Sequence, residues 1–145
     1  LGLILAVHGA DFLGSTNMPA WALLTSIILV SSLLNLFIGS ASAKWALIAP
    51  VMVPMLMLLG ISPEMATAAY RVGDGATNII TPLMVYFPLI LIFCQRWQSN
   101  FGLGSLAATM LPYSIGLLLS GLAMTIFWVV LDLPLGPGAS VFYTL

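Results

Sequence analysis

Charge is what this sequence has least of. Of 145 residues, three are Lys or Arg, four are Asp or Glu and one is His, so charged side chains make up 5% of the chain. Soluble domains carry about a quarter. With 61% hydrophobic residues and a mean hydropathy of +1.17, the composition excludes a soluble domain and defines an integral membrane protein. The net charge of −1 comes without any basic run, which leaves nothing to neutralise a phosphate backbone and excludes a nucleic-acid partner. A single cysteine, Cys94, excludes an internal disulfide and packs as a small apolar side chain. The sequence opens at Leu1 with neither an initiator methionine nor a signal-peptide pattern, and it reads as a segment of a longer, transporter-sized protein.

Against that apolar background one stretch stands out: Arg71-Val72-Gly73-Asp74-Gly75-Ala76-Thr77-Asn78-Ile79-Ile80-Thr81-Pro82. It holds an acid, a base, two glycines and a proline, with apolar sequence on both sides. In lipid, charged groups beside an interrupted helix cost several kcal/mol unless they line a protected, wet site. An ordinary turn between two spans is the alternative, but the flanking apolar runs are too short to be separate spans. Arg71 and Asp74 lie three apart on one helical face. Arginine offers a fork of donors suited to a carboxylate. Asp74 can exchange a proton or help hold Na⁺, with Asn78 and exposed carbonyls completing a cation site. A purely structural Arg–Asp pair that pins the broken helix is the competing reading.

The remaining segments arrange themselves around this stretch. Residues 1–17 form an arm or interfacial helix, in which His8 and Asp11 share a face and turn toward headgroups or water. Residues 18–60 pair two apolar arms. Ala20 to Phe37 is predicted as a helix of about 27 Å whose Asn35 must face protein or ligand. Ala46 to Leu59 is bent by Pro50 and Pro54. Between them, the small residues Gly39 to Ala43 form a tip, which suits a re-entrant hairpin. Lys44 is expected to snorkel, and Trp45 is either an interfacial anchor or a flat surface for an aromatic ring. Residues 61–97 form a broken transmembrane helix. Ser62 is its N-cap, Pro63 its first position, the break begins at about Gly73, and the helix resumes from Ile79 to Gln95. Arg96 favours a cytoplasmic loop. Residues 103–132 are the last transmembrane helix and 133–145 the tail, with Trp97 and Trp128 as belt residues.

The motifs GSASAKWALIAPVMVPML and AAYRVGDGATNIITPLMVYF, with LPYS and LPLGPG beyond them, resemble the AbgT family, the aminobenzoyl-glutamate transporters and related antimetabolite exporters. The resemblance covers roughly Asn35 to the end. It implies an all-α membrane fold with re-entrant hairpins in an inverted repeat, assembled as a homodimer in the bacterial inner membrane. This chain would be the C-terminal half of such a carrier, unable to transport without the N-terminal half. By motif, the family's residues carry over to Ser42, Trp45, Pro63, Arg71, Asp74 and Pro82.

The combined reading is a secondary active transporter and not an enzyme. Ser42, Trp45, Arg71, Asp74 and Asn78 bind a small aromatic carboxylate of the aminobenzoyl-glutamate, p-aminobenzoate or sulfonamide type. Asp74 and Asn78 serve ion coupling, and Pro63, Gly73, Gly75 and Pro82 act as hinges. No cofactor is required beyond Na⁺ or H⁺ as the coupling ion. Three other classes compete: a carrier of another organic anion, a channel or structural subunit, and an intramembrane aspartyl protease. The last needs two carboxylates sharing a proton, and here Arg71 sits beside a lone aspartate.

Overall fold

In the computed structural model, residues 2–143 are described, so Leu1 of the arm and Thr144 and Leu145 of the tail lie outside the described residues. The chain is all-helical: α1 (Gly2–Ser15), α2 (Ala20–Asn35), α3 (Ala41–Leu58), α4 (Pro63–Thr77), a 3₁₀ turn at Asn78–Ile80, α5 (Tyr86–Gln95) and α6 (Leu103–Val130). Two of these, α3 and α6, are long and apolar enough to cross a membrane. Apolar side chains such as Phe12, Leu47, Leu89 and Leu119 stand exposed. Lipid, or further protein, is the medium that tolerates such faces.

Local chemistry accounts for the ends of the helices. Ser40 caps α3 by accepting from the Ala43 N–H at 3.3 Å, and Ser62 caps α4 by accepting from Met65 at 3.2 Å, with Pro63 in the first turn. At the C-terminus of α3 the chain turns through Gly60 at φ +80°, where the Gly60 and Ile61 N–H groups bond back to Met57 and Leu56. This is a Schellman stop, and glycine fits its left-handed position without a Cβ penalty. α3 runs through Pro50 and Pro54 as one helix.

Two boundaries differ from the sequence expectation. The predicted break at Gly73 is absent: α4 continues through Gly73, Asp74 and Gly75 to Thr77. Gly73 has a packing role instead, because a Cβ there would collide with the Ile28 carbonyl, with Ser32 Oγ at 2.9 Å and Ser31 Cβ at 3.1 Å. The interruption falls later. Regular α-helix resumes only at Tyr86, not Ile79, because the chain passes through the 3₁₀ turn and an irregular stretch around Pro82, which has no N–H to donate. The Asn78 carbonyl that Pro82 cannot serve accepts from the Thr81 N–H at 3.4 Å, and the buried Thr81 hydroxyl takes over the Thr77 carbonyl at 2.7 Å. α2 also ends at Asn35, two residues short of Phe37.

The core lies between α2, α3 and α4, built from Leu24, Ile28, Leu56, Ile61, Met65, Ala66, Ala69 and Tyr70. α2 packs chiefly on α4, α3 on α1, and α6 on α4 and α2; α2 and α3 touch each other little. The α2–α4 seam is close and partly polar: Ser31 donates to the Tyr70 carbonyl at 2.9 Å and Ser32 to the Gly73 carbonyl at 3.2 Å. Small residues and hydroxyls are what bring helices together where lipid removes the hydrophobic drive. Beyond α6 the tail folds back on the start of α4. Ser62 N–H donates to the Val141 carbonyl at 3.0 Å, Ser62 Oγ to the Ser140 carbonyl at 2.6 Å, and Tyr143 N–H to the Gly60 carbonyl at 2.9 Å. Trp128 is half-buried against the core, whereas Trp97 is almost fully exposed.

Candidate substrate and coupling-ion site

The polar residues of the chain converge where the first turn of α3 meets the last turn of α4 and the end of α2. Asp74 is buried in the last turn of α4. The partner that reaches it most closely is Lys44, not Arg71. Lys44 Nζ donates to Asp74 Oδ1 at 2.5 Å and to Asn35 Oδ1 at 2.7 Å, and Lys44 is 0% exposed. The expectation that Lys44 snorkels is therefore overturned. Its stem points inward because a carboxylate and an amide oxygen wait in the core, and a buried ammonium is tolerated only with such partners.

Both charges occupy electrostatically unfavourable helix ends. A cation in the first turn of α3 faces the positive end of that helix, and an anion in the last turn of α4 faces the negative end. Each placement costs about 0.3–1 kcal/mol. Helix preference therefore does not account for either residue; their mutual contact does. Breaking such a buried pair by removing one partner costs about 3–5 kcal/mol.

Asn35 is the organiser of the cluster and is fully buried. Its oxygen accepts from Lys44, which fixes the orientation of the amide. Its Nδ2 then lies 3.0 Å from the Asp74 carbonyl, 2.9 Å from Thr77 Oγ1 and 2.8 Å from Asn78 Oδ1. Two amide hydrogens are shared among three acceptors, of which the Asp74 carbonyl also accepts from the Asn78 backbone N–H. The donor set here is hard and neutral or anionic: a carboxylate, two side-chain amide oxygens, a hydroxyl and backbone carbonyls. Such oxygens suit an alkali cation or a proton, but the place between Asn35 Oδ1 and Asp74 Oδ1 is held by the Lys44 ammonium.

Arg71 stands on the open side. Its side chain is 59% exposed, and its nearest guanidinium nitrogen is 3.6 Å from Asp74 Oδ2, an ion pair without a hydrogen bond. Much of its donor fork is therefore left for an incoming anion. Beside it, Trp45 and Tyr70 form a tilted aromatic pair with centroids 4.6 Å apart and planes at 39°. The Arg71 guanidinium carbon is 5.9 Å and Lys44 Nζ 5.5 Å from the Tyr70 ring centroid. The Tyr70 hydroxyl donates to the Ala41 carbonyl at 2.8 Å, tying α4 to the start of α3.

Of the residues singled out in the sequence, Trp45, Arg71, Asp74 and Asn78 thus gather in one cluster. Ser42 is exposed in the first turn of α3 two residues from Lys44. Gly73 lies in the α2–α4 seam, Gly75 is exposed on α4, Pro63 opens α4, and Pro82 lies exposed in the irregular stretch. Gly39 packs so closely on that stretch that a Cβ would sit 2.7 Å from the Leu83 carbonyl. Lys44 and Tyr70 complete the cluster without having been predicted. A lysine in an apolar run with no nearby acid was the available signal for Lys44.

Two hollows adjoin these elements. A groove of about 490 Å³ between α1, α2 and α3, lined by Leu13, Ile27, Val30, Ile48 and Met55 among others, is apolar but for Ser26 and touches none of the charged residues. A smaller cleft of about 150 Å³ borders Asn78, Tyr86 and Phe87. The larger hollow lacks the convergent polar groups that orient a ligand, so the charged cluster is the better candidate site.

An all-helical, strongly apolar chain with a paired acid buried in the last turn before a helix interruption has the kind of arrangement used by helical membrane transporters. A family profile described as the AbgT putative transporter family matches residues 1–143, and the chain belongs to that family. The p-aminobenzoyl-glutamate transport protein of Escherichia coli (strain K12) is 36% identical over 138 residues, covering 95% of this chain and 27% of that protein. The crystal structure of the Alcanivorax borkumensis YdaH transporter superposes with a TM-score of 0.89 at 56% identity, over 94% of this chain and 29% of that one. MtrF of Neisseria gonorrhoeae, described among a class of antimetabolite efflux pumps, gives 0.84 at 47% identity, over 95% and 28%. The chain thus spans less than a third of the length of these relatives.

Proposed function

We propose that this chain is the C-terminal part of a secondary active transporter in the bacterial inner membrane. Its substrates are aminobenzoyl-glutamate or related p-aminobenzoate and sulfonamide-type aromatic carboxylates, carried in exchange with or alongside H⁺ or Na⁺. In this reading α2 and α3 are the arms of a re-entrant hairpin, and α4 and α5 the two pieces of a broken transmembrane helix. The remainder of the carrier supplies the inverted repeat, and two copies form a homodimer.

One observation carries the reading: an exposed arginine fork beside a Trp45–Tyr70 aromatic pair, one turn from a buried, cation-paired Asp74. Arg71 binds the substrate carboxylate through paired, charge-assisted hydrogen bonds. Trp45, half-buried and backed by the fully buried Tyr70, offers a π face to the benzoyl ring. Asp74 and Asn78 bind the coupling ion, and binding there redistributes the charges that hold α3 against α4. The 36% identity to a p-aminobenzoyl-glutamate transport protein supports the choice of substrate class.

The test is Asp74→Asn in the full-length carrier, reconstituted in proteoliposomes. Insertion should be retained while ion-coupled flux of an aromatic carboxylate falls to background. Flux at the wild-type rate with unchanged dependence on pH and Na⁺ would remove Asp74 from the mechanism.

A further inference from the structure

Lys44 is the single lysine of the 145 residues, and it is spent in the protein interior. Its ammonium lies between Asn35 Oδ1 at 2.7 Å and Asp74 Oδ1 at 2.5 Å, with the Tyr70 ring centroid 5.5 Å away. Those are the ligands an alkali cation would seek: one anionic oxygen, one amide oxygen and a π face. A second cation at Asp74 with Lys44 in place would sit between two fixed positive charges, since the Arg71 guanidinium already stands 3.6 Å from the other carboxylate oxygen. Repulsion among three cations around one carboxylate in a low-dielectric interior disfavours that arrangement strongly. Helix electrostatics give Lys44 no local reason to be where it is. Its contact with Asp74 instead spans 30 residues and joins the first turn of α3 to the last turn of α4.

We propose that the Lys44 ammonium is a tethered cation that occupies the Asn35–Asp74 oxygen pair in the ion-free carrier, and that Na⁺ takes those oxygens only when Lys44 withdraws. The inference rests on the reading of Asp74 as the coupling group. Tethered and diffusible cations are alternative occupants of one place, so ion binding releases the first turn of α3 from α4. The Lys44–Asp74 pair stays neutral in the ion-free carrier, because the carrier brings its own counter-charge. The apparent affinity for Na⁺ is then the intrinsic affinity multiplied by the fraction of carrier in which Lys44 is withdrawn.

Two measurements on the full-length carrier in detergent test this at one fixed pH. In the unmodified protein, acylation of Lys44 by an amine-reactive reagent, located by peptide mass mapping, should rise several-fold when choline chloride is replaced by sodium chloride. Equal acylation in the two salts would overturn the proposal, and this arm needs no variant. In the second, the sodium-dependent rise in melting temperature is titrated for wild type, Lys44→Arg and Lys44→Met. Lys44→Met should lower the sodium midpoint at least about tenfold, as expected if Lys44 is withdrawn in under a tenth of the molecules. Lys44→Arg should stay near wild type. An unchanged or raised midpoint in Lys44→Met overturns the tethered cation, as does the absence of any sodium response in all three proteins. Asp74→Asn separates the two levels. If it abolishes the sodium response while Lys44→Met leaves the midpoint alone, Asp74 remains the coupling group and only the tether falls. If the response survives Asp74→Asn intact, the coupling site lies elsewhere and both fall together.

Discussion

The molecule contains two helix–helix seams built on opposite plans. Between α2 and α4 the backbones meet closely, and the contact is made of glycine, serine hydroxyls, carbonyls and one amide. Between α1 and α3, α1 presents small residues (Gly2, Gly9 and Gly14, with Ala6 and Ala10 buried), the α3 atoms nearest its glycines include the Val51, Met55 and Leu59 side chains, and a groove of about 490 Å³ remains beside α2. Both seams contain a glycine that a Cβ would crowd. At Gly73 the obstacle is the Ile28 backbone carbonyl; at Gly9 it is Met55, with Sδ at 2.8 Å and Cγ at 3.6 Å. A carbonyl in a helix cannot retreat, whereas an unbranched thioether turns about three bonds. The polar seam is therefore fixed through backbone at Gly73, whereas the apolar seam can adjust at Gly9 by turning the Met55 side chain.

The sharpest way to break that contrast is Gly73→Ala. We expect a loss of about 3 kcal/mol or more, since overpacking against backbone lies at the upper end of its usual range. Little folded carrier should be recovered in detergent. Recovery with a wild-type melting temperature would show that the seam yields and that its polar contacts do not fix it. Asn35→Ala comes next. It leaves the Lys44 ammonium and several oxygens of α4 short of a partner, at about 1–3 kcal/mol, or more for the charged group. A melting temperature lowered by several degrees is the expected result, and an unchanged one would mean that water replaces the amide at no cost. The smallest effect belongs to Gly9→Ala. Alanine favours an exposed helix by about 0.5–1 kcal/mol over glycine, which roughly offsets the displacement of Met55. Its melting temperature should stay within about 2 °C of wild type; a loss as large as that of Gly73→Ala would erase the distinction between the seams.

What could be seen in the sequence follows the range of the forces involved. Ser62 and Pro63 marked the start of α4 because capping acts over three residues. The importance of Arg71 to Pro82 was visible because charge in an apolar chain is conspicuous whatever its surroundings. The place of the helix break was not visible. Gly73 and Gly75 carry the appearance of breakers, yet Gly73 is helical for the sake of Ile28, 45 positions earlier, and no local signal reports that contact. Lys44 was misread for the same reason. Snorkelling is the usual outcome for lysine near a membrane interface, and only the folded chain brings Asp74 and Asn35 to it. Asn35, by contrast, was expected to face protein or ligand, because an amide in an apolar helix has no third option.

The return of the tail to Gly60 and Ser62 has a kinematic consequence. Three hydrogen bonds from Ser140 to Tyr143 fasten the N-terminal end of α4 to the segment that follows α6. A rod clamped at one end moves least there and most at the other. α4 is about 22 Å long at 1.5 Å per residue, so a tilt of about 5° about the clamp carries Asp74 sideways by about 1.5 Å and Thr77 by nearly 2 Å. That displacement exceeds the slack of a hydrogen bond several times over. Because Ser31, Ser32 and Asn35 tie α2 to this end of α4, a tilt about Ser62 would carry Asp74 and Asn35 together and part both from Lys44 on α3.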